Sequence, residues 1–334
     1  MDLFAGPGGL DVAAKGLGLT VNGIEWDDNA YATRLAAGLE GPQGDVRKFH
    51  PEDFPDATIL AGGPPCQTFT VAGTGAGRRA LDTVLKFVRR MADDDDVAAD
   101  LAELDDERTG LVLEPLRWAL DAKKPYDVIV LEQVPSVLPV WNAYAEVLKE
   151  RGYSVDTDVL RTEEYGVPQT RRRAILIARL NGVAKLPAPT HQPYRKGRRP
   201  DPAHRHPSWV DMRDTLDRKE PFVVVSNYGT GGDPKERGRR NWDEPSATVT
   251  GKISRNRVMT PDESKELPRF THAEAGLLQT FPRDYPWSGK DIAQQIGNAI
   301  PPLLAKRVLE AALGLAKPPV SKAEPGMFDF AVAR

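Results

Sequence analysis

Short apolar segments alternate with amphipathic helical stretches through the first 180 residues, and this alternation limits the fold more than any other feature of the chain. The candidate strands are residues 1–4, 20–25, 58–61, 127–131, 154–160 and 174–178. Helical periodicity is clearest in residues 27–37 and 141–151. Strands that alternate with helices favour an α/β fold with a doubly wound, mostly parallel sheet. Such sheets bind their ligands at the carboxyl ends of the strands.

The composition changes after residue 180, which indicates a second structural unit. At 334 residues the chain has room for one large domain and a smaller one. We expect a first domain at 1–180, with an acidic insertion at about 78–105, and a small irregular domain at 181–290. Residues 291–316 then return to the first domain and contain a closing helix at 301–315, and the tail at 317–334 is expected to be disordered.

The charge is unevenly distributed although the net charge of the chain is only −3. Residues 181–260 carry 16 Lys and Arg against 9 Asp and Glu, whereas residues 92–107 carry 9 acids and no base. A charge run is most often a solvated face, but a basic stretch beside an α/β domain is also a candidate phosphate-binding surface. With one cysteine the chain has no intrachain disulfide and no cysteine-rich zinc site, so we expect no metal and a reducing compartment. No signal pattern and no long apolar run is present, which predicts a soluble, cytoplasmic protein with no membrane contact.

The only cysteine, Cys66, follows a candidate strand in the loop Gly-Gly-Pro-Pro-Cys-Gln-Thr-Phe. A spare cysteine is usually a small buried hydrophobe. Here two prolines prevent a helix or a strand ladder from continuing, so the thiol lies on a stiff turn at the end of a strand. An α/β protein displays a nucleophile in this way. We therefore interpret Cys66 as catalytic.

The turn after the first strand has the pattern Phe-x-Gly-x-Gly-Gly, which suits a nucleotide-like cofactor better than a dinucleotide. By itself this signal is weak, since glycine turns also close ordinary strand–helix joints. Glu25 ends the second strand, where a carboxylate can accept hydrogen bonds from ribose hydroxyls. Trp26 can lie against an adenine ring, and Asp45, followed by Val46, can meet its amino group. The candidate contacts in the turn itself are Phe4, Gly6, Gly8 and Gly9.

Three further segments carry polar residues at the ends of candidate strands or ahead of the last helix. Glu132 lies at the end of a buried strand and is a candidate acid, although it fits a helix cap equally well. Alternation places Arg171 and Arg173 on one strand face, where they suit a phosphate, a base carbonyl or a neighbouring carboxylate; a surface strand is the other possibility. Asn298 lies at a turn before the last helix and can close over the cofactor.

In order and spacing these segments resemble the cytosine-5 DNA methyltransferases of bacterial or phage type, from residue 2 to about 315. The resemblance comprises the glycine turn, the Pro-Cys-Gln loop, Glu-x-Val at Glu132, Gln-x-Arg-x-Arg from Gln169 and Gln-x-Gly-Asn-x-x-Pro from Gln295. Segments 245–250 and 269–282 also look like late segments of that family. No single motif is specific, but the ordered set is.

The resemblance implies a fold of the S-adenosylmethionine-dependent methyltransferase type and a covalent mechanism. Cys66 would attack carbon 6 of a flipped-out cytosine, Glu132 would protonate or hydrogen-bond ring nitrogen 3, and Arg173 would contact the base carbonyl while Arg171 supports the loop. It also implies double-stranded DNA as partner, a monomer, and a cognate restriction endonuclease as one context. S-adenosylmethionine would be held by Phe4, Gly6, Gly8, Gly9, Glu25, Trp26, Asp45, Val46, Pro65 and Asn298.

The chain departs from the family pattern at two places. Gln133 stands where the family usually has Asn, and the acidic insertion is expected to form a separate outward excursion. Two alternatives remain at this point: an RNA-directed relative with the same thiol chemistry, and a DNA-binding protein that has lost activity. An amino-group methyltransferase fits less well, because that chemistry needs no thiol.

Overall fold

The computed structural model describes residues 1–65, 75–95, 97–102, 107–226 and 237–315. Cys66, the glycine-rich stretch 228–232 and the tail at 317–334 therefore lie outside the described residues. The strands are β1 (Asp2–Leu3), β2 (Gly23–Ile24), β3 (Ile59–Gly62), β4 (Val128–Gln133), β5 (Ser154–Arg161), β6 (Gln169–Thr170), β7 (Arg172–Arg179), β8 (Val223–Val225), β9 (Arg239–Asn241), β10 (Ser246–Ala247), β11 (Arg257–Met259) and β12 (Glu266–Leu267).

The helices are α1 (Gly9–Gly16), α2 (Asp28–Ala36), α3 (Gly75–Ala92), α4 (Ala98–Ala102), α5 (Glu107–Leu111), α6 (Glu114–Asp121), α7 (Leu138–Glu150), α8 (Met212–Thr215), α9 (His272–Leu278), α10 (Ile292–Asn298) and α11 (Pro302–Ala312). Local chemistry sets several of their starts. Asp27 caps α2 by accepting hydrogen bonds from Asn29 N and Ala30 N, and Pro302 opens α11 where its missing N–H costs nothing.

The central sheet has the strand order β2-β1-β3-β4-β7-β5, with parallel neighbours except around β7, which is antiparallel to β4 and β5. This confirms the α/β class and the mostly parallel sheet expected from the sequence. Within the described residues, no helix combines the length and the apolar character needed to cross a lipid bilayer.

Alternation along the central strands divides the first domain into two cores. Ile129 and Leu131 of β4 face a core built with α3, α6 and α7, and Trp118 and Trp141 are fully buried there. Val128 and Val130 face the opposite side, where α1 and α11 pack together. A strand that is buried on both faces has a continuous apolar sequence, so the sequence alone predicts β4.

A third core belongs to the second unit, whose antiparallel sheet has the order β12-β11-β8-β9. Phe222, Val224 and Phe270 pack there with Leu278 of α9 and Ile296 of α10. The two units are also joined by a short parallel ladder, in which Ser246 and Ala247 of β10 pair with Gln169 and Thr170 of β6. This third core therefore draws residues from both sides of position 290.

The acidic segment differs from the expected outward excursion. Val84 and Phe87 of α3, with Val97 just after the acidic run, are buried in the first core. Among the described acids, Asp93, Asp94, Asp95 and Asp100 are exposed, and Arg90 pairs with Asp95 and Asp100 at 2.6 Å each. The apolar spacing beneath the charges, rather than the charges themselves, decides where this segment packs.

A buried ion pair holds the first two helices of the chain together. Arg34 of α2 donates to both carboxylate oxygens of Asp11 of α1 at 2.9 Å, and neither side chain is exposed to solvent. Arg34 also donates to the carbonyl of Glu40 at 2.9 Å. Gly23 of β2 leaves the space that the guanidinium fills, because a Cβ there would lie 2.2 Å from Arg34 Nη2. Burial and the nearby Asp11 charge raise the pKa of Asp2 well above its ordinary value.

We predict opposite effects for two substitutions in this cluster. Arg34→Met leaves the Asp11 charge buried without its partner and should lower the free energy of unfolding by about 3–5 kcal/mol.

Asp2→Asn should be tolerated. Because the pKa of Asp2 is raised in the folded state, the wild type loses stability as pH rises above the ordinary Asp range of about 4, and the Asn variant does not. Urea unfolding at pH 5 and pH 8 should show the stability difference growing with pH; a constant difference would contradict this account.

Candidate active site

The chain turns toward Cys66 at the carboxyl ends of three adjacent parallel strands. β3 lies between β1 and β4, and its last pair joins Gly62 to Leu131. Gly63 follows beside the end of β4, where a Cβ would lie 3.3 Å from Glu132 Oε2. Cys66 itself lies outside the described residues, so the structure locates only the entry to its loop, and that entry is next to the Glu132 carboxylate.

Glu132 forms an ion pair with Arg173 across the β4–β7 ladder. Arg173 Nε lies 2.5 Å from Glu132 Oε1, and the two side chains are only 13% and 10% exposed. Glu132 Oε1 accepts no aligned hydrogen bond from the described residues, although it is buried. The structure also gives Glu132 no capping role: no side chain caps the turn Pro135–Val137 or α7 in this described part of the chain. Glu132 therefore faces the strand ends as a buried, incompletely satisfied carboxylate.

The side chain of Arg171 has different bonding partners from that of Arg173, although the sequence predicts both on one strand face. The guanidinium of Arg171 is buried and donates to the carbonyls of Val249 at 3.0 Å, Gly297 at 2.9 Å and Ala299 at 3.2 Å. Burial lowers the pKa of Arg171 well below its ordinary value, and the charge of Arg173 adds to this effect. The two guanidiniums therefore have different partners: Arg173 pairs with Glu132, and Arg171 holds backbone segments together.

The glycine turn takes a backbone path that few residues allow. Phe4 has φ +62°, Gly6 has φ +56° and Gly8 has φ +102°, all in the left-handed region. A Cβ at position 9 would lie 2.3 Å from the carbonyl oxygen of Ile300, so Gly9 is required for the turn to meet the segment after α10. By contrast, no described atom lies within 4 Å of the Cβ position of Gly6. The turn therefore has an open face at Gly6.

The carboxylate of Glu25 fastens this turn. Its Oε2 accepts a hydrogen bond from Gly6 N at 2.6 Å, and its Oε1 accepts one from Asp27 N at 2.7 Å. Burial raises the pKa of Glu25, while these two backbone bonds act in the opposite direction. Each oxygen keeps a second lone pair for a ligand hydroxyl. Trp26, the next residue, is 67% exposed.

The other candidate cofactor residues are arranged around this edge with different exposure. Asp45 is buried and accepts from Arg47 N at 3.0 Å and from Arg47 Nη2 at 2.7 Å. Burial alone would raise the pKa of Asp45, but the bonds and charge of Arg47 outweigh it and lower this pKa. Val46 is buried in the first core and Pro65 is half-buried.

The sequence predicts Asn298 at a tight turn, but in the structure it is the last residue of α10. Its Oδ1 accepts from Gln294 Nε2 at 2.6 Å, one helical turn back, which explains the difference. The side chain is exposed, and the two residues that follow lead to the Ile300 carbonyl against Gly9. The closing segment thus reaches the glycine turn in the structure.

Two contacts near the site were not found from the sequence. Tyr285 donates from its hydroxyl to the carbonyl of Pro7 inside the glycine turn, and Gln133 donates from its side chain to the carbonyl of Pro64. Both join residues distant in sequence. The only available signal was the tyrosine's position after the late segment 269–282, which gives no indication of its partner.

The open face at Gly6, the buried carboxylate of Glu25 and the exposed indole of Trp26 together fit a nucleoside with a ribose and a planar base. The carboxylate can accept from hydroxyls, and the indole offers a flat apolar face. This combination of hydrogen-bond acceptors and an apolar ring face therefore fits S-adenosylmethionine.

Comparison with known proteins identifies the family of the chain. The family model described as C-5 cytosine-specific DNA methylase matches residues 1–93 and 97–313. The two matched ranges leave out residues 94–96 of the acidic run.

Curated relatives and solved structures extend over most of the chain. The type II methyltransferase M1.HphI of Haemophilus parahaemolyticus is 29% identical over 76% of this chain and 68% of its own length. The type II methylase M.HgiDII of Herpetosiphon aurantiacus is 28% identical over 93% and 94%. The S. pombe Dnmt2 methyltransferase structure matches with a TM-score of 0.62 at 17% identity, covering 94% of this chain and 97% of that one, and so supports the fold. Given the family match over nearly the whole length, the chain belongs to the C-5 cytosine-specific DNA methylase family and is a DNA cytosine-5 methyltransferase.

Proposed function

We propose that this enzyme uses S-adenosylmethionine to methylate carbon 5 of a cytosine that is flipped out of double-stranded DNA, through a covalent bond from Cys66 to carbon 6. The observation that carries the proposal is the ion-paired Glu132 carboxylate beside the entry to the Cys66 loop. A base inside a duplex cannot reach a carboxylate buried at strand ends, which is why the cytosine must leave the stack.

The chemistry assigned to the protein begins with the thiolate of Cys66. Its sulfur adds to carbon 6, the carbon 5–carbon 6 π electrons form a carbon 4–carbon 5 double bond, and the carbon 4–nitrogen 3 π electrons move onto ring nitrogen 3, which becomes more basic. For this step Glu132 must be in its acid form, whose O–H donates a hydrogen bond or its proton to nitrogen 3, so that carbon 5 gains enamine character. When bound, S-adenosylmethionine supplies an electrophilic methyl group. Loss of the carbon 5 proton to a base then lets the Cys66 sulfur leave and restores the aromatic ring.

Arg173 and Arg171 have separate parts in this proposal. The ion pair with Arg173 holds the Glu132 carboxylate at the strand ends, and the same guanidinium is the candidate contact to the cytosine carbonyl. Arg171 is assigned a positioning part, because its bonds to Val249, Gly297 and Ala299 hold the segments around the site.

The cofactor half of the site is proposed to lie over the glycine turn. Gly6 provides the open backbone, Glu25 accepts from the ribose hydroxyls and Trp26 covers the adenine. Asp45 is assigned to the adenine amino group. The remaining residues assigned to this half are Phe4, Gly8, Gly9, Val46, Pro65 and Asn298.

DNA contact is proposed for the basic part of the second unit. Arg195, Lys196 and Arg199 are exposed on a segment with no regular secondary structure, as suits contacts to phosphates. The relatives named as type II methyltransferases favour a restriction–modification context, in which a cognate endonuclease cuts the unmethylated site. A monomer in the cytoplasm remains our expectation, based on the DNA substrate and the reducing conditions that a catalytic thiol needs.

Replacement of Cys66 tests the covalent step. Cys66→Ala should abolish methyl transfer because no other thiol exists in the chain, while S-adenosylmethionine binding stays within about twofold. DNA carrying 5-fluorocytosine should give a denaturant-stable adduct with the wild type, since fluorine cannot leave as a proton, and none with the variant. Full activity of the alanine variant would end the covalent proposal.

Glu132→Gln tests the proposed acid. The amide keeps the side-chain volume but does not carry the acidic proton, so the single-turnover rate should fall by about two to four orders of magnitude. Glu164→Gln is the matched control, because Glu164 lies in the turn after the neighbouring strand β5 and its side chain is assigned no part in catalysis. A rate for the Glu132 variant within twofold of the control would assign Glu132 a structural role only.

Trp26→Ala tests the adenine contact. Stacking on an aromatic ring is worth about 1–3 kcal/mol per base, so calorimetry should show S-adenosylmethionine affinity falling by about 5- to 150-fold. The melting temperature should not change, since the indole is 67% exposed. Leu35→Ala removes another exposed apolar side chain, 60% exposed on α2, and should change neither quantity. Equal affinity for both variants would remove Trp26 from the cofactor site.

A further inference from the structure

The backbone ladder between β3 and β4 stops just before the Cys66 loop. Its last pair joins Gly62 to Leu131, and the chain then continues as Gly63, Pro64 and Pro65. Proline has no N–H, so neither Pro64 nor Pro65 can donate a further backbone hydrogen bond. Gly63 N still donates to the carbonyl of Leu3 in β1 at 3.3 Å, so it is beyond Gly63 that something other than the sheet must fix the chain.

The side chain of Gln133 supplies such a bond. Gln133 ends β4, and its Nε2 donates to the carbonyl of Pro64. Its Oε1 accepts from the backbone N–H of Val134 at 2.5 Å. The side-chain carboxamide of Gln133 is therefore held at both ends. Its oxygen is bound to Val134, which follows β4, and its nitrogen is bound to Pro64, in the segment that leads from β3 to Cys66.

The position of this clamp matters because of what lies on either side of it. Glu132 is the preceding residue, and its Oε2 lies 3.3 Å from the Cβ position of Gly63. Cys66 is two residues beyond Pro64, which limits its Cα to within about 7 Å of the clamped residue. Pro65 has a fixed φ, so few backbone torsions remain between the clamp and the thiol.

We propose that Gln133 is a positioning residue for catalysis, which holds the exit of β3 so that the Cys66 thiol is directed toward the base beside Glu132. The inference rests on the proposed function of Cys66. It also gives a physical meaning to the departure from the family's usual Asn at this position. An Asn stem is one methylene, about 1.5 Å, shorter, and with the backbone unchanged it cannot keep both bonds.

The single cysteine makes the clamp directly measurable. Alkylation by iodoacetamide reports on Cys66 alone, needs no DNA and does not depend on methyl transfer. We would measure this rate and the single-turnover methylation rate for wild type, Gln133→Ala and Gln133→Asn. Asn142→Ala on the exposed face of α7 is the control, since it removes a single surface hydrogen bond to Thr157.

Gln133→Ala should raise the alkylation rate at least about threefold, because a small reagent reaches a released loop more easily, and should lower the single-turnover rate about 10- to 100-fold. Gln133→Asn should fall between Ala and wild type in both rates. S-adenosylmethionine affinity should stay within about twofold, which separates loss of positioning from loss of the fold. Circular dichroism melting would check that each variant is folded, and the Asn variant replaces the Ala variant if the latter is not.

The proposal requires both changes in Gln133→Ala, the faster alkylation of Cys66 and the slower single-turnover methylation. If either rate in the folded variant stays within twofold of the Asn142→Ala control, the positioning role is overturned. If wild-type protein transfers no methyl group to any DNA, the proposed function fails separately, and the alkylation rates alone then decide whether the clamp exists.

Discussion

The whole arrangement of the site depends on the buried guanidinium of Arg171. Among the described residues no carboxylate pairs with it; it donates instead to three backbone carbonyls, from Val249 of the second unit and from Gly297 and Ala299 at the end of α10. A buried cation without a counter-ion is costly, so it is tolerated only where several dipoles are directed at it. These carbonyls must therefore stay in place while the charge is buried. Because Arg171 and Arg173 flank the start of β7, the same short stretch of chain holds both the unit proposed to bind DNA and the carboxylate proposed to act on the base.

Much of this fold was predictable because β4 and the centre of β7 are apolar on both faces. β4, β5 and β7 begin and end within two residues of the ranges expected from the sequence, and β4 carried Glu132 to the strand ends as anticipated. Helical periodicity likewise predicted α2, and the proline at its start predicted α11. The helices of the acidic segment were misjudged because the charge run concealed the apolar residues Val84, Phe87 and Val97 beneath it.

Within the site, sequence reasoning found residue types but not their partners. The pattern Gln-x-Arg-x-Arg gave no reason to send Arg171 toward Val249 and Arg173 toward Glu132, since both directions depend on segments far away in the chain. In the same way Gln133 was noticed only as a departure, and its bond to Pro64 follows from the parallel pairing of β3 and β4. Glu25 was expected to face a ligand, yet it first holds the turn that would bind that ligand. Preorganisation of this kind is a tertiary property, and strand or helix periodicity carries no information about it.

The contact between Gly9 and the carbonyl of Ile300 has a consequence for how the protein is made. The first helix packs against the last one, so the turn at residues 4–9 meets its partner surface only after about 300 residues have been synthesised. At about 5–20 residues per second, this leaves the start of the chain waiting on the order of 15–60 seconds on the ribosome. During that interval the apolar face of α1, with Leu10 and Ala13, has no cover from α11. The packing of α1 is thus completed only late in synthesis, and until then this face is a surface that a chaperone can bind.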